Sequence, residues 1–467
     1  MVARRIAAVM LGFCVVCTAV FVVLAWRRPI SAIAQRDLPR FEQSLVRHGG
    51  ELAKLGNCAV CHTAPGGKAL AGGRALPTPF GTIYSTNITP DSETGIGRWS
   101  EAAFRRAMRE GVDRSGRHLY PAFPYDHFTV LTDDDNKALY AYLMSRDPIH
   151  SDVPANELRF PFNVRLLLAG WKLLFLRTGP YRPDPAQNRE WNRGAYLVEG
   201  LAHCGACHTP RNSFGAEKKG EQFDGGEAEG WTAYALNHAS PAPVPWSPEA
   251  LYFYLRNGWH EAHGLARGPM APVVDNLSSV ADLEVRAIAT YMASVLGEPT
   301  PERRRQGEAL LAQSRNAAAS DNPVAGDSEA TTEQVHAGAV LGEAIYAAAC
   351  ANCHESARPL PFGGIHLALS TGVHGPNPHN VINVIVSGLP AAEGERSPIM
   401  PGFSAALDDD QLVQLLAYLR SRFSDKPQWS DIANDVRAAR AGRRPIGFYP
   451  SPAMGTAPAD ASQREQP

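Results

Sequence analysis

Three cysteine–histidine clusters carry the residues of this chain best suited to chemistry. Each is a Cys-X-X-Cys-His pentapeptide, and the first cysteines lie 146 residues apart (58 to 204 and 204 to 350). Two thiols at this spacing can add to the vinyl groups of a porphyrin, and the adjacent histidine then ligates the iron. The sequence therefore predicts three covalently bound haems c. Their attachment residues are Cys58, Cys61, Cys204, Cys207, Cys350 and Cys353, and their axial histidines are His62, His208 and His354.

Two other readings of a Cys-X-X-Cys pair are a thioredoxin-type redox couple and half of a zinc site. A zinc site would need paired motifs close together, whereas these are far apart and each has its own histidine. The remaining two cysteines, Cys14 and Cys17, lack a following histidine and sit in an apolar run, where small apolar side chains are expected. The motifs therefore favour haem attachment over a redox couple or a zinc site.

An electron-transfer haem usually has a second protein ligand, and in cytochromes c this is most often a methionine thioether. Met270 and Met400 lie downstream of the second and third motifs in proline-flanked loops, and each precedes an amphipathic helical pattern. Methionine is more often core filler than ligand, but this position favours ligation. We predict Met270 and Met400 as the sixth ligands of haems two and three.

The first motif departs from this pattern, because Phe123 occupies the loop position where methionine is expected. Phenylalanine cannot bind iron, so haem one is either five-coordinate or ligated by a neighbour. His127 is nearest in sequence and is our hypothesis, with Met108, His118 and Met144 as further candidates. For each of these four residues a packing or surface role is the alternative.

The amino terminus predicts export of the motifs. Residues 6–26 contain no charged side chain, and 21 helical residues rise about 31 Å, enough to cross a bilayer core. Arg4 and Arg5 precede this run and place the terminus in the cytoplasm, although Arg27 and Arg28 follow it. A signal peptide cleaved after Ala34 is the alternative. Either reading puts the motifs on the periplasmic side of the inner membrane.

The order of patterns predicts a mainly α chain of three tandem class I cytochrome c domains after an N-terminal membrane helix. The bounds are 1–34 for the anchor or signal peptide, 37–150, 183–300 and 336–425 for the domains, 301–335 for a flexible linker, and 426–467 for a partly disordered extension. Closing helices are predicted over 133–144, 282–296 and 408–422, where aspartate precedes apolar residues at helical spacing.

Residues 151–182 form a separate segment, within which 160–175 is rich in Trp, Phe and Leu with interspersed basic residues. It is too short and too charged to span a membrane. An interfacial helix or a docking ridge for a partner fits this composition, and a buried inter-domain helix fits it about equally well.

Four stretches of the sequence resemble a known family. Residues 193–200 (RGAYLVEG) and 204–212 (CGACHTPRN), together with 81–91 (GTIYSTNITPD) and 400–403 (MPGF), are similar to the three-haem cytochrome subunits of bacterial membrane-bound dehydrogenases. These include the subunits of quinoprotein alcohol, flavin-dependent gluconate and sorbitol, and molybdenum-containing aldehyde or N-heterocycle dehydrogenases. The resemblance runs from about residue 50 to 437. The alcohol and gluconate types read Pro-Ala-Met-Pro-Tyr in the first loop, whereas residues 121–128 (PAFPYDHF) look more like the molybdenum type.

The resemblance implies a non-catalytic electron-transfer subunit. A molybdenum, quinoprotein or flavoprotein catalytic subunit would supply the electrons, and membrane ubiquinone or another cytochrome would accept them. The net charge of −2 argues against nucleic acid as a partner. The alternative function is a multi-haem peroxidase that uses the methionine-less first haem, since that activity needs an iron with an open site. The sequence contains no Gly-rich dinucleotide fingerprint.

Overall fold

The structure is a computed structural model that describes residues 2–34, 40–319, 333–356, 358, 360–390 and 398–441. It is mainly helical, which confirms the predicted fold class. Its contacts divide the chain into two compact units. The first unit holds the residues up to Arg182 together with Gly200–His203, and the second holds Pro183–Glu199 and the described residues from Cys204 onward.

The first unit contains seven helices and one small sheet among its described residues. The helices are α1 Val2–Ala25, α2 Gln43–Leu55, α3 Cys58–Cys61, α4 Glu101–Glu110, α5 Tyr125–Phe128, α6 Asp133–Met144 and α7 Leu168–Phe175, the last preceded by the 3-10 turn Arg165–Leu167. The strands β1 Ala75–Thr78, β2 Gly81–Tyr84 and β3 Glu157–Leu158 pair antiparallel in that order.

The second unit contains the other two motifs. Its helices are α8 Arg189–Tyr196, α9 Gly205–His208, α10 Pro248–Asn257, α11 Met270–Ser278, α12 Asp282–Leu296, α13 Pro301–Ala319, α14 Glu333–Ala349, α15 Ala351–His354, α16 Thr371–His374, α17 His379–Ser387, α18 Asp409–Phe423 and α19 Ile432–Arg440, with a π-helical turn at Leu197–Leu201 and a 3-10 turn at Leu367–Leu369. The described part of this unit also contains two hairpins, β4 Gly226–Ala228 with β5 Trp231–Ala233 and β6 Trp259–His260 with β7 Gly264–Leu265.

The same helix pairing recurs around each motif, and we use the word repeat for the stretch that contains it. In each repeat the helix before the motif crosses the last helix: α2 with α6, α8 with α12, and α14 with α18. A glycine makes the crossing possible, because a Cβ atom there would lie 2.7–2.8 Å from the Cβ of a tyrosine on the last helix. The pairs are Gly49 with Tyr142, Gly194 with Tyr291, and Gly342 with Tyr418.

The closing helices begin and end close to the predicted positions. α6 and α12 have the predicted bounds, and α18 is shifted by one residue. Thr132 caps α6 by accepting a hydrogen bond from the amide of Asp135, and Asp408 forms a capping box with Gln411 on α18. The acidic first turns also complement the positive end of each helix dipole.

One predicted segment differs from the structure, and a second lies partly outside the described residues. The flexible linker predicted over 301–335 is wrong in its first part, which is α13, and its residues 320–332 lie outside the described residues. Arg303 of α13 donates hydrogen bonds to the carbonyls of Ser240 and Ala242, at 2.8 and 3.2 Å. The extension predicted over 426–467 contains α19, whose Val436 is fully buried in the third repeat, while residues 442–467 lie outside the described residues.

α1 is long and apolar enough to cross a membrane, with a mean hydropathy of 2.8 in its most apolar window. A signal sequence near an amino terminus can be equally long and apolar. The helix ends at Ala25, one residue before the predicted end of the apolar run.

Candidate haem-attachment sites

Each Cys-X-X-Cys-His motif folds as a single helical turn. The histidine amide donates to the carbonyl of the first cysteine at 3.0 Å in the first motif, 3.1 Å in the second and 3.0 Å in the third. Residues three and four apart share one face of such a turn. The local backbone therefore places both thiols and the imidazole on the same side, as covalent attachment and axial ligation of one haem require.

The three motif histidines make the same hydrogen bond. Nδ1 of His62 lies 2.6 Å from the Thr86 carbonyl oxygen, Nδ1 of His208 lies 2.7 Å from that of Tyr234, and Nδ1 of His354 lies 2.8 Å from that of Ile365. A carbonyl oxygen can only accept, so Nδ1 carries the proton and Nε2 presents its lone pair. Such a partner also fixes the orientation of the ring and makes it a better ligand.

Burial disfavours the charged forms of the motif side chains. It lowers the pKa of His62, His208 and His354, which favours the neutral imidazole. Burial also raises the pKa of the first cysteine of each motif, to about 12 for Cys58 and Cys204 and about 11 for Cys350.

The six motif cysteines, all within the described residues, form no disulfide, and the second cysteine of each motif is exposed. Together with the single proton position on each histidine, this donor set fits a haem c.

The structure gives Phe123 and the two predicted methionine ligands a common position in the fold. The helices α4, α10 and α17 each end at a glycine in the left-handed region with φ of 60–75°, namely Gly111, Gly258 and Gly388. Twelve residues beyond these glycines lie Phe123, Met270 and Met400 (111 to 123, 258 to 270, 388 to 400). Phe123 therefore occupies the position of the two predicted methionine ligands.

The loops that present Met270 and Met400 are held by backbone hydrogen bonds. Met270 begins α11, and its amide donates to the carbonyl of Arg267 at 3.3 Å. Met400 forms a two-way bridge with Leu389, at 3.1 Å and 2.7 Å, and its side chain packs against the core of the third repeat. Both methionines are partly buried.

The candidates for the sixth ligand of haem one occupy different environments. Both ring nitrogens of His118 are engaged, since Nε2 donates to the Ala25 carbonyl at 2.9 Å and Nδ1 accepts from Lys172 at 3.1 Å. Met108 and Met144 are buried in α4 and α6. His127 is buried in α5, four residues beyond Phe123, so it remains the candidate nearest to the expected position.

Sequence reasoning did not find the carbonyl groups that hold the histidines. Thr86, Tyr234 and Ile365 follow their motif histidines by 24, 26 and 11 residues. A backbone carbonyl is present at every residue, so neither residue type nor spacing marks the one that the fold will use.

In the second unit, two of these carbonyls belong to Tyr234 and Ile365, which lie where the second and third repeats pack together. The side chain of Ile365 packs with Val244, Ala262 and Leu369. The ring of Tyr234 lies against Gly372 and Gly375, where an added Cβ would approach its atoms to 3.4 and 3.0 Å. The ligand histidines of these two repeats are therefore oriented by residues of one shared interface.

Side-chain amides of the third repeat reinforce this interface. Asn380 accepts from the amide of Thr232 at 2.8 Å and donates to its carbonyl at 2.9 Å. Asn383 donates to the Gly230 carbonyl at 3.1 Å, and Asn377 accepts from the Thr232 hydroxyl at 2.7 Å. All of these contacts lie on or beside β5, directly before Tyr234.

Comparison with protein-family models gives two matches. The family described as cytochrome c matches residues 46–147, and the family described as cytochrome C oxidase, cbb3-type, subunit III, matches residues 337–419. These matches contain the first and third motifs.

Curated relatives align along most of the chain. A nicotinate dehydrogenase subunit of Pseudomonas putida is 46% identical over 422 residues, which are 90% of this chain and 34% of that protein. The chain thus spans about a third of the length of this relative. The fructose dehydrogenase cytochrome subunit of Gluconobacter japonicus is 35% identical over 88% of this chain and 86% of its own length. The gluconate 2-dehydrogenase cytochrome c subunit of Pantoea cypripedii is 34% identical over 85% and 90%, respectively.

Proposed function

Since this chain belongs to the family of cytochrome c subunits of dehydrogenases, we propose that it relays electrons through three covalent haems c. The observation that carries the number three is the recurrence of one site geometry. Each motif forms a helical turn, each motif histidine donates Nδ1–H to a carbonyl, and each repeat closes with a glycine–tyrosine helix crossing. The chain itself is a non-catalytic subunit, as its family is.

In this proposal each residue of the site has one task. The cysteines attach the porphyrin, and the motif histidines ligate iron through Nε2. Met270 and Met400 supply the sixth ligands of haems two and three, and His127 supplies that of haem one. Bound haem supplies the redox centre, and thioether ligation raises its reduction potential. The residues set the ligation, the orientation and the low-dielectric surroundings of the iron.

The number of haems is tested by removing one attachment site at a time. Replacing both cysteines of a motif by alanine, as in Cys204→Ala with Cys207→Ala, is expected to lower the mass of the purified chain by one haem. Cys17→Ala is the matched control and is expected to leave the mass at three haems, because this thiol has no following histidine. A wild-type chain with two haems, or a double variant that keeps the wild-type count, contradicts the proposal.

The first haem is tested separately. His127→Ala is expected to convert haem one to a five-coordinate spectrum while the other two haems keep theirs. An unchanged spectrum would exclude His127 as the ligand. Rapid turnover of peroxide by the isolated wild-type chain would instead favour the peroxidase alternative, which requires an open site on this haem.

The catalytic partner is proposed to be a dehydrogenase that oxidises an N-heteroaromatic substrate. The observation behind this choice is the 46% identity to the nicotinate dehydrogenase relative, against 34–35% for the fructose and gluconate dehydrogenase relatives. The PAFPYDHF loop at 121–128 agrees with it. We expect nicotinate to reduce the haems of the purified native complex in the absence of oxygen. Reduction by fructose, gluconate or ethanol but not by nicotinate would assign the chain to another branch of the family.

The helix α1 supports a proposal for where the protein lies in the cell. We place the haem-bearing part of the chain on the periplasmic side of the inner membrane, with α1 as a retained anchor, and ubiquinone or a second cytochrome as the acceptor. Retention is supported by Ala25, which is buried and whose carbonyl satisfies the buried His118 ring. Cleavage after Ala34 would remove this partner and leave a buried polar group unpaired.

A further inference from the structure

Residues 159–177 of the first unit expose an unusual number of large apolar side chains. Phe160, Leu173 and Leu174 are 81%, 78% and 64% exposed, and Phe162, Val164 and Leu167 are also exposed. Single exposed apolar residues are ordinary on a soluble surface, whereas a contiguous group marks an interaction site. We refer to these 19 residues as the 159–177 segment.

The 159–177 segment is fixed to the first unit by its polar and aromatic side chains. Arg165 donates to the His118 carbonyl at 3.0 Å and covers the ring of Tyr120. Lys172 donates to the carbonyls of Glu110 and Gly111 at 2.7 and 2.6 Å. These contacts hold one side of α7 against the protein, so Leu173 and Leu174 point outward from a rigid support.

The segment lies beside the end of the membrane helix. A Cβ on Gly170 would lie 3.7 Å from the ring of Phe21 in α1. His118 links the two elements directly, because its Nε2 bonds to the Ala25 carbonyl and its Nδ1 to Lys172. The chain that follows α1 is fixed to the same unit by Arg106, which donates to the Arg28 carbonyl at 2.7 Å.

The charge of the segment suits an anionic surface. The 159–177 segment contains four basic and no acidic side chains, although the whole chain has 45 basic and 47 acidic residues. Arg165 and Lys172 bond to the protein, whereas Arg159 and Arg177 are exposed. Aromatic and leucine side chains flanked by Arg and Lys are characteristic of structures that lie in the headgroup region of a bilayer.

We propose that the exposed side chains of the 159–177 segment insert into the headgroup region of the bilayer that α1 crosses. The first cytochrome unit then lies on the membrane surface rather than on a free tether. The argument for lipid over a protein partner is the continuity with α1, since a bilayer that holds Phe21 reaches the level of Gly170 in α7. The inference rests on the proposed membrane location and goes beyond it by assigning the surface that touches lipid.

The test measures which solvent surrounds Leu173. A nitroxide label is placed at Leu173→Cys in the full haem-loaded chain, in a background with Cys14→Ala and Cys17→Ala. The matched control is Leu283→Cys on α12, where the native side chain is 68% exposed and the surroundings contain Asp282 and Glu284. Both proteins are reconstituted in vesicles that contain phosphatidylglycerol, and collisions with oxygen and with a water-soluble nickel chelate are recorded.

The label at 173 is expected to collide several-fold less often with the nickel chelate than the label at 283, and several-fold more often with oxygen. Equal values at the two positions in vesicle-bound protein overturn this inference and leave the anchor intact. Protein that does not stay with the vesicles overturns the proposed membrane location as well. If the label becomes shielded from both reagents only when the catalytic partner is bound, the surface is a protein interface and the inference is wrong.

Discussion

The helix crossing of the first repeat gives a sharp stability prediction for Gly49→Ala. A methyl group there would lie 2.6 Å from the carbonyl carbon of Ala138 and 2.8 Å from the Cβ of Tyr142, and the Ala138 carbonyl oxygen is closer still. An ordinary contact starts near 3.4 Å, so α2 and α6 must separate by at least 0.8 Å at this point (2.6 to 3.4 Å). The obstructing atoms belong to the backbone of a buried helix and cannot rotate away.

The magnitude follows from two opposing effects. Overfilling a packed site costs about 1–3 kcal/mol, and more when backbone must move. Replacing glycine by alanine inside a helix returns about 0.8–1 kcal/mol. Gly50 provides the matched control, since it has the same helix and the same propensity gain. Its nearest neighbour is the ring of Tyr142 at 3.2 Å, which can shift by a few tenths of an ångström. We expect Gly49→Ala to destabilise the first repeat and Gly50→Ala to be neutral or slightly stabilising.

Hydrogen exchange followed by mass spectrometry measures this effect in one repeat at a time. A net loss of up to about 2.2 kcal/mol (a cost of 3 less a gain of 0.8) corresponds to up to roughly fortyfold faster exchange of the α6 amides, residues 133–144, in Gly49→Ala. Peptides from α12 and α18 serve as internal references and should keep their rates. Equal protection of α6 in the two variants would refute the role of the glycine. The same reasoning applies to Gly194 and Gly342 in the other repeats.

Three further predictions concern the iron sites. Phe123→Met is expected to give haem one the absorption and magnetic resonance spectra of a histidine–methionine haem, because residue 123 has the same position in the fold as Met270 and Met400. A spectrum unchanged from wild type would show that residue 123 does not face the iron. Met400→Ala should open haem three to added imidazole or carbon monoxide while the other two haems stay closed, and absence of binding would mean that another side chain ligates this iron. Asn380→Ala removes the 2.8 and 2.9 Å bonds to Thr232 beside Tyr234. The hydrogen bond from His208 to the Tyr234 carbonyl should then weaken and raise the reduction potential of haem two. We expect a rise of up to about 59 mV, which is a tenfold change in the reduction equilibrium. Spectroelectrochemical titration measures this potential, and a lowered value would contradict the prediction.

The local features of this chain could be predicted from the sequence because they depend on short stretches of residues. The motif cysteines and histidines share one helical turn, so five consecutive residues specify their geometry. Aspartate followed by apolar residues at helical spacing located α6 and α12 to the residue. The family resemblance, carried by the same motifs, is confirmed by relatives that align over most of the chain.

The error over residues 301–319 shows where local reasoning fails. The segment was predicted to be a flexible linker because it is polar and lacks apolar periodicity. Its Ala, Glu, Gln and Arg residues are nevertheless strong helix formers. Contacts far along the chain complete α13, since Leu310 and Leu311 pack against the cluster around Ile365 and Arg303 bonds to carbonyls near residue 240.

By itself, the sequence supplied the side chains of the proposed haem sites: the thiols, the imidazoles, and the methionine or phenylalanine that follows each motif. Only the tertiary structure decided which carbonyls orient the imidazoles, which glycines admit a crossing helix, and that the 159–177 segment lies beside α1. The physical reason is that bond-forming groups are properties of residue type, whereas carbonyl partners, close helix approaches and exposed faces arise from segments distant in sequence. Tyr234 illustrates both, because the sequence gives its side chain but not the hydrogen bond that its backbone carbonyl accepts from His208.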